Sequence, residues 1–260
     1  MYIKDVRMMD KIEDKWPSLA KPPVVTAIFQ LKFDNGSVKV EDYLKFDHLF
    51  MRDFQKRSEN IESSLSFGPA TRIPLGKAQV SGVTNTRRTG YVYVTTDQKE
   101  KLSLSESDIT YTTEKPYEGW DAFKETVIKV LRILSPMMEN VTVRRTSIRF
   151  INQFKFDEFS DPTVYFNSQV FSTEGAMPYP LMRYGFRLTY DVEEGIYSIV
   201  NQNAEHLPEK YVYIFDIDVL NRNNFLYDVN SMAETMEGLR NIKNRIFFDN
   251  VTEKTLETCN

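Results

Sequence analysis

"VRRTSIRFINQFKF", residues 143–156, decides how this chain is read. Ile148, Phe150, Phe154 and Phe156 recur on one side, with Arg145, Ser147, Arg149, Gln153 and Lys155 between them. A period of two with one apolar side marks a strand that buries one face and wets the other. Arg144 falls on the apolar side, but near the strand start, where its stem lets the guanidinium reach water. Asn152 breaks the pattern in mid-strand, and a buried amide needs hydrogen-bond partners. It is predicted to be a buried, hydrogen-bonded residue that fixes the junction between two halves of the chain. Its expected partners are backbone groups at the ends of a 24–33 strand or a 118–135 helix.

Before this strand, PPVVTAIFQLKF places Val25, Ala27, Phe29, Leu31 and Phe33 on one face and Thr26, Gln30 and Lys32 on the other. Pro22 and Pro23 fit only ahead of the ladder, and Asn35-Gly36 ends it. From Glu41 to about Glu62, Phe46, Phe50, Phe54 and Ile61 predict an amphipathic helix. Residues 64–88 are rich in Ser, Gly, Pro and Thr, and predict either a functional loop or a concealed strand. TGYVYVTT, KLSLSE and ITYTT then read as an antiparallel meander. In the helix that follows, Trp120, Phe123, Val127, Val130, Leu131 and Leu134 share a stripe, stopped at Pro136.

After the 141–156 strand comes a connection with helical potential around 162–171. Three strands follow, in LMRYGFRLTYDV, GIYSIVN and YVYIFDIDVL. A final helix from about Ser231 carries Met232, Met236, Leu239, Ile242, Ile246 and Phe247. The fold class is therefore α+β, mostly antiparallel sheet with long packing helices. Element order suggests two pseudo-repeated strand–helix–three-strand–helix halves, residues 21–139 and 140–260, sharing one sheet or core after a polar leader at 1–20.

Composition narrows the function classes. A formal net charge of −4 and a pI near 5.4 give no global attraction to nucleic acid or anionic membrane. The N-terminus lacks an apolar signal core, and no stretch approaches the ~20 apolar residues of a membrane span, so a cytoplasmic protein is expected. The single cysteine, Cys259, builds no disulfide framework and is expected to be an exposed thiol.

The wet faces hold the candidate site. Arg145 and Arg149 share one strand face, Arg183 and Arg187 another, and Asp216 and Asp218 a third. Two readings stand: ordinary cross-strand ion pairs, or a sheet face on which the four arginines grip an anionic ligand. Asp216-x-Asp218 is also a minimal Mg²⁺-binding arrangement. YVYV (91–94) and YVYIF (211–215) are candidates for stacking bases on an open sheet, although an acidic chain argues against nucleic acid.

Three motifs carry a resemblance: the PPVVTAIFQLKF opening, the Arg145-x-x-x-Arg149-Phe150-Ile151-Asn152 strand, and Phe247-Phe248 followed by Val251-Thr252. Together they resemble a sporadically distributed family of prokaryotic proteins of unknown function, with Phe150 where that family usually has Tyr. The resemblance implies no catalytic residues and no cofactor.

Enzyme signatures are missing from the sequence. His48 is expected at a helix edge and His206 in a loop, and neither stands at metal-ligand spacing from another donor. No nucleophile elbow, phosphate loop or dinucleotide fingerprint occurs. The expectation is a non-enzymatic binding or regulatory protein whose partner is another protein or a small anionic ligand, with no cofactor. The alternative is a metal-dependent phosphate-handling or nucleic-acid-processing enzyme using Asp216 and Asp218.

Overall fold

The structure, a computed structural model, describes residues 16–66, 83–114, 116–157, 162–167, 183–207 and 210–260. Its strands are β1 (Val24–Phe33), β2 (Lys56–Ser66), β3 (Val83–Val94), β4 (Glu100–Ser105) and β5 (Asp108–Glu114). They continue with β6 (Thr142–Phe156), β7 (Arg183–Glu193), β8 (Ile196–Leu207), β9 (Lys210–Asn221) and β10 (Phe225–Leu226). All join one antiparallel sheet in the order β2-β3-β4-β5-β1-β6-β9-β8-β7, with β10 beside the start of β6.

Two long helices, α2 (Trp120–Leu134) and α3 (Val229–Asn250), pack on one face of this sheet. The predicted α2 stripe is buried throughout, and so are Met232, Met236, Leu239 and Phe247 of α3. Gly119 begins α2 with φ +106, a conformation that side chains rarely adopt. Asp228 caps α3 by accepting from the Ser231 backbone N–H at 2.7 Å. No helix among the described residues is long and apolar enough to cross a membrane.

The β1–β6 ladder has a two-sided regularity. Phe29 faces Ile148 at its centre, and the pairing reads alike in both directions from there. Val24 faces Asn152 as Phe33 faces Val143, and Thr26 faces Ile151 as Lys32 faces Arg145. A bulge interrupts each end. On β1 the extra residue is Val25, so Val24 rather than Val25 turns into the core. On β6 it is Arg144, which is thrown outward to grip Asp34 with two hydrogen bonds (2.8 and 2.6 Å) while Val143 turns inward.

Other expectations need correction. The helix predicted over 41–62 is a 3₁₀ segment (Val40–Phe46), one turn of α1 (Asp47–Phe50), and then β2. Phe50 and Phe54 are both buried, which satisfies a helical spacing, but Ile61 is 60% exposed on an edge strand. β2 is charged and polar on both sides, so it offers no alternation to read. The first meander consequently has four strands, not three.

Residues 67–82 of the predicted loop and 168–171 of the predicted connection lie outside the described residues, as does the leader up to residue 15. His206 belongs to β8, not a loop, and stacks on Tyr211 with ring centroids 4.2 Å apart. Cys259 is buried rather than exposed, its thiol directed to the Thr255 carbonyl at 3.6 Å, just after the short α4 (Glu253–Glu257). Tyr91, Tyr93, Tyr213 and Phe215 also point into the core, so they form no base-stacking platform.

Candidate functional site

Among the described residues, both long helices lie on one side of the sheet, and the polar rows of β1, β6, β9, β8 and β7 meet on the other. Cross-strand register assembles the predicted residues there. Arg149 stands opposite Asp218, and Asp216 stands between Ile151 and Asn201, with Arg187 one strand further on.

Arg149 reaches diagonally to Asp216 with both fork nitrogens, Nε to Oδ1 at 2.8 Å and Nη2 to Oδ2 at 2.7 Å. The Asn201 amide donates to Oδ2 at 2.9 Å. Asp216 is only 5% exposed, so its charge is neutralised away from water. The Asp216/Asp218 pair thus presents no two free carboxylates.

Asp218 is placed differently. One carboxylate oxygen, Oδ1, is buried without a hydrogen-bond partner. Burial raises its pKa, Arg145, Arg149 and Arg187 pull it back, and the neighbouring Asp216 charge adds to the rise. Arg145 donates to the Gln30 amide oxygen, and Gln30 in turn donates to Thr110 Oγ1 at 3.2 Å, but Arg145 Nε is buried unpaired.

Three predicted arginines therefore gather around two aspartates. The fourth, Arg183, is paired with Glu205 near the exposed start of β7 and stands apart from the cluster. Gln30 and Asn201 complete the site. Neither carries a sequence signal, because cross-strand neighbours depend on strand order.

The raised pKa of Asp218 has a measurable consequence. A carboxyl with a higher pKa folded than unfolded costs stability once both forms are ionised, and that cost fades as pH falls through the folded pKa. Asp218→Asn is therefore expected to raise the denaturant midpoint at pH 7, with the advantage disappearing on acidification. An equal advantage at every pH would assign the effect to something other than this charge.

Asn152 is 3% exposed, and its Nδ2 donates to the Phe215 carbonyl at 2.9 Å and more distantly to Phe150 O at 3.4 Å. It faces Val24 at the β1 bulge, where Gln153 N–H donates to Pro23 O at 2.8 Å. The amide is buried as expected, but its partner is a β9 backbone carbonyl, not the end of β1 or α2. Asn152→Leu is expected to cost ~1–3 kcal/mol by leaving that carbonyl without its donor, as read from urea unfolding.

Sequence reading also overlooks Lys243. It sits four residues after Leu239 and seven after Met236, on the apolar stripe of α3. A lysine at such a position was a signal in plain view.

Comparisons with protein families, with curated proteins and with solved structures return no match for this chain.

Proposed function

We propose that this is a non-enzymatic binding protein that recognises its partner through the uncovered sheet face centred on Asp218. The observation that carries the reading is the half-buried Asp218 carboxylate, one oxygen of which is buried and short of a partner, with Arg145 and Arg187 close enough to act on its charge. Polar atoms left unpaired on a sheet are costly unless something else uses them. Arg149 is committed to Asp216, so a partner's acidic group meets Arg145 and Arg187, and its donor meets Asp218.

Capture from the native host tests this. Wild-type protein should retain a stoichiometric partner that Arg187→Gln releases, with the native fold retained, since Arg187 is exposed. Stoichiometric Mg²⁺ or Mn²⁺ binding that is lost in Asp216→Asn, with the fold retained, would instead favour a metal-dependent enzyme.

We also infer that the chain arose by internal duplication and belongs with the sporadically distributed prokaryotic family its motifs resemble. Support for duplication comes from the β1–β6 ladder, whose register and bulges repeat about Phe29 and Ile148. It comes too from the order in which each half's last strand, β5 or β9, returns beside its first. A cytoplasmic setting fits the one cysteine.

A further inference from the structure

A second site lies on the opposite side of the sheet, independent of the face just discussed. A cavity of about 430 Å³ opens between the lead into β1, the start of α2 and the later part of α3. Its volume is within the ~300–1,000 Å³ typical of small-ligand sites. Aromatic and aliphatic side chains make the walls: Trp16 stacks on Phe248 at 5.3 Å, and Tyr117, Trp120 and Phe247 complete the apolar lining.

The charged groups on the lining are mostly cations. Lys243 reaches in with its ammonium 4.5 Å from the Phe150 ring centroid and has no carboxylate partner among the described residues. Asn244, on the next position of α3, is buried and lines the same space; Asn152 lines it too, but its Nδ2 is already given to the Phe215 and Phe150 carbonyls. Arg240 lines it too, but is held by Glu237 at 3.3 Å and lies over the Trp120 ring at 5.2 Å.

Glu237, the carboxylate that neutralises this region, already accepts from Trp120 Nε1 at 2.9 Å and Lys124 at 2.6 Å. Glu118 is the one acid on the lining, and it is exposed. The cavity therefore holds a cation in excess within apolar walls. Lys243 is half-buried, and a cation withdrawn even partly from water costs stability unless an anion completes it.

We propose that this cavity binds a small organic carboxylate with an apolar body, its carboxylate paired with Lys243 and hydrogen-bonded by Asn244. The ligand's ring or chain packs among Tyr117, Trp120, Phe247 and the stacked Trp16–Phe248 pair. Crowding by protein, with Arg240 adding repulsion, lowers the free Lys243 ammonium to a pKa of about 7. Binding an anion restores its proton.

Calorimetric titration of the full chain at pH 8 with phenylacetate and with octanoate tests the assignment. At least one should bind one-to-one, with up to about one proton taken up from buffer, since Lys243 is mostly neutral beforehand. Neutral 2-phenylethanol should bind at least tenfold more weakly, and so should the carboxylate to Lys243→Met. That variant should melt no lower than wild type, because it removes a cation without a carboxylate partner and leaves an apolar side chain against Phe150. Failure of both carboxylates to bind would overturn the proposal. So would binding without proton uptake, equal binding by Lys243→Met, or inorganic phosphate binding as well as either acid.

Discussion

Arg149→Ala should destabilise the protein by about 2–4 kcal/mol, more than any other single change on the uncovered sheet face. From the sequence alone this arginine reads as half of a solvated pair, worth well under ~1 kcal/mol. The pair is lopsided instead: the Arg149 side chain is 42% exposed, and that of Asp216 is 7% exposed. Removing the cation strands a carboxylate that water scarcely reaches, and breaking such a pair from one side costs ~3–5 kcal/mol when both members are buried. Partial exposure of Arg149 and the remaining Asn201 hydrogen bond lower that figure. Asp216→Leu in the same chain should recover most of the loss, because it removes the stranded charge. Urea unfolding of the two single variants and the double variant gives the coupling. An Arg149→Ala loss below that of Asn152→Leu would mean that water enters to solvate Asp216.

Phe150→Ala should cost about 3–5 kcal/mol, the range for deleting a large buried ring. Phe150 is buried beneath Tyr117, Trp120 and Phe123, with ring centroids 5.7, 6.4 and 5.7 Å away. Its strand neighbours are Ala27 on β1 and Ile217 on β9. Ala27 is too small to fill the gap, so a cavity should persist. Phe150→Leu should lose roughly half as much, by retaining part of the volume. If both variants unfold at the same urea concentration as wild type, the helix–sheet packing repacks more freely than close-packed rings allow.

How much of this was legible follows the range of each signal. Strand and helix periods are local, so α2, α3 and the strands with one dry face were readable from residues such as Trp120, Leu134, Ile148 and Phe154. β2 was not, because an edge strand polar on both sides has no period. Val25 and Arg144 were placed on the wrong face because a bulge shifts the alternation by one, and bulges leave no mark in a single sequence. At the site, the arginines and aspartates were nameable. Their partners were not: which cation meets which carboxylate depends on β9 lying between β6 and β8, a long-range fact. The burial of Asp216 likewise comes from its neighbours' side chains rather than its own type.

The position of β1 at the middle of the sheet bears on how the chain is made. β1 is synthesised first among the described strands, yet Ile148, which faces its Phe29, follows about 120 residues later. At ~5–20 residues per second a ribosome needs roughly 6–24 s to supply that partner. During that interval Ala27, Phe29, Leu31 and Phe33 form an apolar strand with at least one unpaired edge, the kind of surface that seeks other chains. The nascent protein is thus expected to draw on a chaperone during synthesis, and refolding from denaturant should be slow, as sheets closed by distant contacts generally are.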